Sequence, residues 1–193
     1  MTPTATSPIP TVLDERFRAA AAASGLLDVA YDVLDDTPVG PLLVGVSERG
    51  LCRVSFDPEP ETELERLGRE FGPRILRTPS ALDRVRRELD EYFAGRRQAF
   101  DLDLDLRATP EFHRRVLAEL NRVGYGRTTT YGALAAQVGS PRAARAVGTV
   151  MNRNPMPIVL PCHRVVGANG SLTGYGGGLD RKEWLLRLEG ALL

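Results

Sequence analysis

Pro161-Cys162-His163-Arg164-Val165 closes the apolar run Ile158-Val159-Leu160 and leads toward a glycine-rich loop, Gly174-Tyr175-Gly176-Gly177-Gly178. A thiol beside an imidazole, at the end of a buried segment, is the composition of a site that makes thiolate. The chain has two cysteines and two histidines in 193 residues, so their adjacency is informative. Neighbours on an extended segment point to opposite sides, so a bridging water is the expected proton path between the two side chains. A buried cysteine that only fills the core is the alternative reading.

Upstream of this segment the pattern turns helical. Thr109 as cap and Pro110 at the first helical position open a helix that turns Phe112, Val116 and Leu120 inward. Thr130 to Val138 predicts a short helix, broken at Gly139-Ser140-Pro141, and Ser140-Pro141 start a second one that runs to about Asn152. Two short helices around a glycine-containing turn make a helix-turn-helix candidate, although an αα-hairpin in an ordinary core fits the same spacing. On the second helix Arg142, Arg145 and Thr149 share one face, while Ala144, Val147 and Met151 share another. Ala143, Ala146 and Gly148 add little bulk, so that backbone can approach a partner closely. Downstream, Asp180-Arg181-Lys182-Glu183 is a capping-box-like start for a last helix with Trp184, Leu185 and Leu188 inward. Glu189 on that helix is the candidate to orient the imidazole.

The first half reads as a small sheet with helices. Asp14 to Ser24 is alanine-rich and helical, ending at Gly25. Val29–Leu34, Pro41–Val46 and Leu51–Phe56 predict three strands, the last two joined at Glu48-Arg49-Gly50. Glu61 to Phe71 places Leu64, Leu67 and Phe71 at helical spacing. Ser80 caps a helix whose stripe is Leu82, Val85, Leu89 and Phe93. Asp101 to Leu106 alternates Asp and Leu strictly, which predicts a half-buried or edge strand. Cys52 lies inside a strand and reads as core.

Charge separates the halves. The chain balances 25 Lys+Arg against 25 Asp+Glu. Residues 1–110 nevertheless carry 14 Arg against 20 acids, and residues 111–193 carry 11 basic residues against 5 acids. Between Asn121 and Leu179 stand six arginines and no acid, which suits a polyanionic partner. A moderately basic surface without such a partner is the plain alternative. No apolar run is long enough to span a bilayer, and Met1 to Pro10 has neither the basic start nor the apolar core of a secretory signal. These features predict a Pro/Thr-rich tail on a cytoplasmic, reduced protein.

Pro161-Cys162-His163-Arg164-Val165 resembles the active-site signature of the O6-alkylguanine-DNA alkyltransferases, the methylated-DNA–protein-cysteine methyltransferases. The resemblance extends through Ala143-Ala144-Arg145-Ala146-Val147-Gly148, Asn154-Pro155, Ile158-Val159-Leu160, Gly174 to Leu179 and Lys182-Glu183-Trp184-Leu185-Leu186. Asp36-Thr37-Pro38-Val39-Gly40-Pro41-Leu42 resembles the opening hairpin of the family's first domain. Coverage runs from about Ala30 to Gly190. It implies an α/β protein: a small ribonuclease-H-like α/β domain over residues 28–107, then a mostly helical domain with a winged helix-turn-helix over 108–193. Residues 1–27 form an extension outside the resemblance.

The resemblance implies direct reversal of DNA alkylation by a monomer acting on double-stranded DNA that carries alkylated guanine, with O4-alkylthymine as a second substrate left open. Cys162 matches the acceptor, His163 the residue that deprotonates it through water, and Glu189 the acid that holds the histidine. Asn154 matches an asparagine supporting the cysteine's segment; a purely local Asn-Pro turn is the alternative. The base must leave the duplex to be reached. Arg145 matches the arginine that fills the vacated stack and Tyr131 the tyrosine that helps rotate the nucleotide; without the family, a phosphate contact and a core aromatic are the simpler readings. Arg142 and Thr149 share the DNA-facing surface. Val165 backbone reads the base edge, Gly176 N–H donates to the alkylated oxygen, and Tyr175 can donate as well. The thioether product is stable, so each molecule acts once.

No cofactor or metal is expected. Some relatives hold a structural zinc in the first domain, but here that half offers Cys52 alone and no histidine before His113. Leu117 stands where the family often has tryptophan. A damage-binding relative without transfer activity, a helix-turn-helix regulator and a cysteine hydrolase are the rival readings. The first lacks an acceptor cysteine, the second leaves the Cys-His segment unexplained, and the third draws Cys and His from distant parts of the chain.

Overall fold

In the computed structural model, residues 11–56 and 60–192 are described; the tail expected over Met1–Pro10 lies outside them. Helix α1 (Thr11–Ala23) precedes strands β1 (Val29–Leu34), β2 (Leu42–Ser47) and β3 (Gly50–Ser55), helix α2 (Pro60–Phe71) and strand β4 (Ile75–Arg77). A 3-10 turn (Pro79–Leu82) runs into α3 (Asp83–Phe93). The second half contains α4 (Glu111–Asn121), β5 (Thr129–Thr130), α5 (Tyr131–Gln137), α6 (Ala144–Asn152), a 3-10 turn (Cys162–Arg164), β6 (Val165–Val166) and α7 (Leu179–Leu188).

The four-stranded sheet has the order β3-β2-β1-β4, antiparallel except that β4 lies parallel to β1. Alternation along the strands gives the sheet two apolar faces. Val29, Leu43 and Cys52 meet Leu67 of α2 on one side. Ala30, Leu42, Val44 and Leu51 join Leu82, Val85, Leu89 and Tyr92 on the other, in a core continuous with Val116, Leu134, Val147 and Leu160 of the second half. The two halves therefore share buried side chains. A backbone bond from Val54 N–H to Pro155 O crosses between them at 2.9 Å.

Several local expectations need correction. Asp101 to Leu106 is not a strand: it touches the sheet through a single bridge, Leu51 to Leu104. That bridge consists of Leu51 N–H to Asp103 O and Asp105 N–H to Leu51 O, both 2.8 Å; to either side, Asp101 N–H bonds Glu88 and the buried Asp105 carboxylate takes Ser47 Oγ at 2.6 Å. Ser80 sits inside the 3-10 turn and makes no cap to α3, which begins after Leu82. Pro110 is the cap of α4 rather than its first residue, and Thr109 makes no capping bond. Ser140 and Pro141 form a turn, closed by Ala143 N–H to Ser140 O, so α6 begins at Ala144 and Arg142 stands in the turn ahead of it. Helix α7 starts at Leu179 behind Gly178, without an Asp180 cap. Strand β4, three residues long, carries no alternation for a sequence reading to find.

Candidate active site

The cysteine is placed by a constrained turn. Ile158 adopts φ 75, a left-handed conformation that a β-branched side chain rarely takes, with its side chain buried. Leu160 N–H returns to Met156 O, and Arg164 N–H to Pro161 O. Asn154 braces this arch: its Oδ1 accepts from Met156 N–H at 3.1 Å and its Nδ2 donates to Leu160 O at 2.8 Å. The same amide also donates to Cys162 Sγ at 3.0 Å.

Cys162 opens on a cavity of about 210 Å³, lined by Met151, Asn152, Pro157, Tyr175 and Gly176 and, from the first half, Phe56. Burial pushes the thiol up to about 11, opposed in part by the Asn154 hydrogen bond and the Lys182 charge. The resting sulfur is therefore a protonated thiol at neutral pH, which needs a base to become the nucleophile. The Tyr175 hydroxyl is close enough for it and the thiol to shift each other's acidity, yet it makes no hydrogen bond to any protein group.

His163 is completely buried and makes no hydrogen bond to Cys162; the two lie in a 3-10 turn rather than the extended segment expected, and still diverge. Its Nε2 lies 2.9 Å from Glu189 Oε1, while Nδ1 has no protein partner. Burial lowers its pKa from 6.5 although Glu189 opposes this, so the ring is neutral at pH 7. Glu189 is held as a carboxylate: burial would raise its pKa, but hydrogen bonds from His163, Arg164 and Tyr92 outweigh that and bring it to about 2. An acceptor-only carboxylate assigns the ring proton to Nε2 and leaves Nδ1 as the basic nitrogen.

Glu189 sits just past α7, at its C-terminal cap. Its Oε1 also accepts from Tyr92 Oη at 2.7 Å and Arg164 Nη2 at 2.8 Å; its Oε2 accepts from Arg164 Nε at 2.9 Å. Arg164, Tyr92 and Lys182 are parts of this assembly to which the sequence reading gave no role. Lys182 Nζ donates to Val165 O at 2.6 Å and Thr173 O at 2.8 Å, joining the strand after the cysteine to the loop before Gly174. Lys182 is the only lysine of the chain and falls within the apolar stripe of α7, which was the available signal.

The helix-turn-helix is hooked to the cysteine turn by a short parallel ladder, Thr129 to Val165 and Thr130 to Val166. Thr130 Oγ1 caps α5 by accepting Ala133 N–H at 3.1 Å, which sets Tyr131 next to that ladder. The Tyr131 ring is half-buried and packs over Gly148, 3.9 Å from where a Cβ would stand. Arg145 and Thr149, one turn apart on α6, are exposed, as is Arg142 in the turn ahead of the helix, while Val147, Val150 and Met151 face the core. Val165 carbonyl is engaged by Lys182 but keeps a second lone pair for a ligand. Gly176 is exposed at the cavity rim. Tyr175 rests edge-on against Phe56, 5.8 Å between centroids, and Arg181 bonds both Gly177 O and Val39 O, so the glycine loop is fastened to the first half.

The chain matches the family model of the 6-O-methylguanine DNA methyltransferase ribonuclease-like domain over residues 29–106, and that of the DNA binding domain over 111–191. It is 42% identical over 169 residues to the methylated-DNA–protein-cysteine methyltransferase of Methanosarcina acetivorans, covering 83% of this chain and 99% of that one. The Mycobacterium tuberculosis protein of the same name is 43% identical over 157 residues, 80% of this chain and 88% of its own. The crystal structure of the M. tuberculosis O6-methylguanine methyltransferase superposes with a TM-score of 0.72 at 40% identity, covering 84% of this chain and 93% of that one. Its complex with DNA gives 0.73 at 39% identity, with the same coverage. The chain belongs to the 6-O-methylguanine DNA methyltransferase family.

Proposed function

We propose that this protein repairs DNA by direct reversal, moving the alkyl group of O6-alkylguanine in double-stranded DNA onto Cys162. The observation that carries the reading is the relay at the sulfur: a thiol held by Asn154, and a neutral His163 whose Nε2 is fixed by Glu189 and whose Nδ1 is open to accept a proton.

The chemistry follows from those groups. A water between Sγ and Nδ1 passes the thiol proton to His163, and Glu189 stabilises the imidazolium that forms. The sulfur attacks the alkyl carbon in line, a C–S bond forms as the C–O6 bond breaks, and the bond's electrons leave on guanine. That oxygen is neutralised by a proton, for which the Tyr175 hydroxyl at the cavity wall is the donor, and Gly176 N–H steadies the charge; the tyrosinate then takes a proton back from solvent as the His163 imidazolium releases the one it received. Val165 backbone reads the base edge. A thioether has no route back to thiol here, so one molecule makes one repair.

The base reaches the cavity by leaving the duplex. Arg145, exposed on α6, enters the space it vacates; Tyr131 guides the rotating nucleotide; Arg142 and Thr149 hold the backbone. The relay and the α6 face lie on one chain, so a monomer suffices. Both described cysteines are free, and a reaction that consumes a thiol belongs in the reducing cytoplasm.

Intact mass after incubation with an O6-methylguanine oligonucleotide tests the proposal. A gain of one methylene, located to the Cys162 peptide and absent from Cys162→Ala, is expected. Tight binding without a mass gain favours a damage binder or regulator instead.

A further inference from the structure

We infer that Tyr92 is a positioning residue for alkyl transfer, through which the first half of the chain sets how firmly Glu189 holds His163. The inference rests on the relay proposed above. Among the described hydrogen bonds to the Glu189 carboxylate, those from His163, Arg164 and Gly126 come from the second half of the chain; Tyr92 alone comes from the first.

The geometry is direct. Tyr92 lies on α3, fully buried, its ring packed against Phe93, Phe100 and Tyr125 at centroid distances of 5.7, 5.2 and 6.2 Å. Its hydroxyl donates to Glu189 Oε1 at 2.7 Å, the oxygen that takes His163 Nε2 at 2.9 Å. Arg164 Nη2 reaches that oxygen as well. Three donors thus compete for one oxygen with two in-plane lone pairs. Each bond drains charge that the others would otherwise use. Burial and the adjacent carboxylate push the Tyr92 hydroxyl's pKa well up, so it stays a donor at every working pH.

The consequence has a sign. Without the Tyr92 hydroxyl, Oε1 becomes a stronger acceptor for His163 and the imidazolium is better stabilised, so the ring titrates at higher pH. The other titratable groups facing this pair are Arg164 from the same turn, Lys182 on α7 and Tyr125 before β5, none of which the substitution alters. A tyrosine that merely filled space would leave the imidazole midpoint where it is.

The chain's two histidines make the measurement clean: NMR titration of the His163 ring, with His113→Gln to fix the assignment, in the full-length protein and its Tyr92→Phe variant. The ring packing is retained in Tyr92→Phe, and the midpoint is expected to rise by roughly half a unit to one unit, the equivalent of one modest hydrogen bond. Difluorotyrosine installed at Tyr92, a stronger donor, is expected to move it down. The acid limb of the transfer rate with free O6-benzylguanine should follow both shifts. An unmoved midpoint in a folded Tyr92→Phe protein overturns the inference while leaving the relay intact. A His163→Gln variant that transfers at the wild-type rate overturns the relay and this inference together.

Discussion

Asn154 Nδ2 donates to Cys162 Sγ at 3.0 Å and to Leu160 O at 2.8 Å, so one amide group braces the turn and touches the reacting atom. As charge develops on sulfur, the first bond strengthens and the second does not. Asn154→Ala should therefore slow transfer from free O6-benzylguanine by about 10- to 100-fold, the value of a hydrogen bond to a charged acceptor. Comparing that rate with thermal unfolding separates the roles: a stability loss with an unchanged rate would reduce Asn154 to a brace.

His163 and Cys162 have complementary acid–base positions, a ring kept neutral by burial and a thiol pushed up to about 11. Removing the base leaves only spontaneous ionisation of the thiol. His163→Gln should be slower at pH 7 by about 10²- to 10⁴-fold. Its rate should then climb about tenfold per pH unit toward the thiol's own titration. A variant whose rate ignores pH over that range is incompatible with proton removal by this ring.

Much of this was legible from residues. The apolar run ending in Cys162-His163 announced a buried nucleophile, the periodicities of α2, α3 and α4 located those helices, and the Gly139 break located the end of α5. Glu189 was readable as the imidazole's partner, though not that it would gather four donor groups. What escaped is long-range. Tyr92 lies 97 positions from Glu189, one residue off the stripe that ends at Phe93, and only the packing of α3 on the second half brings its hydroxyl to the carboxylate. The resting protonation of the thiol was not legible either: adjacency in sequence says nothing about desolvation, which dominates at a cysteine 5% exposed.

Lys182 is fully buried and its ammonium group bonds two carbonyls that belong to different segments. Lys182→Met preserves the aliphatic stem and strands both acceptors. Urea unfolding should show a loss of about 2–5 kcal/mol, from unsatisfied buried carbonyls. Transfer should also weaken, because Val165 and the Gly174–Gly178 loop lose their common tie. A stability change below about 0.5 kcal/mol would mean that water replaces the lysine at no cost.

Acid should unfold this protein through the relay. Glu189 has its pKa lowered from 4.5 to about 2 in the fold, so its contribution is complete above pH 4.5 and is lost as pH falls from there toward 2. His163 acts in the same direction: its folded pKa lies below 6.5, so the unfolded chain takes up the proton first and stability begins to fall below pH 6.5. Denaturation curves should thus decline in two stages, the first absent from His163→Gln. A single decline confined to below pH 4 in wild type would remove the histidine from the account.

Arg145 is exposed on α6 and forms no ion pair among the described residues, and Tyr131 packs beside Gly148 of the same helix. An arginine that enters the duplex offsets part of the few kcal/mol needed to unstack the target base. A free base needs no extrusion. Arg145→Ala should accordingly lose about 100-fold on duplex O6-methylguanine and less than about threefold on free O6-benzylguanine, a split read from two single-turnover rates. Arg145→Lys keeps the charge but not the planar group that can stack in the gap, so it should restore salt-dependent binding more than the duplex rate. Equal losses on both substrates would place Arg145 in the support of the cavity, and full recovery by lysine would make it a phosphate contact.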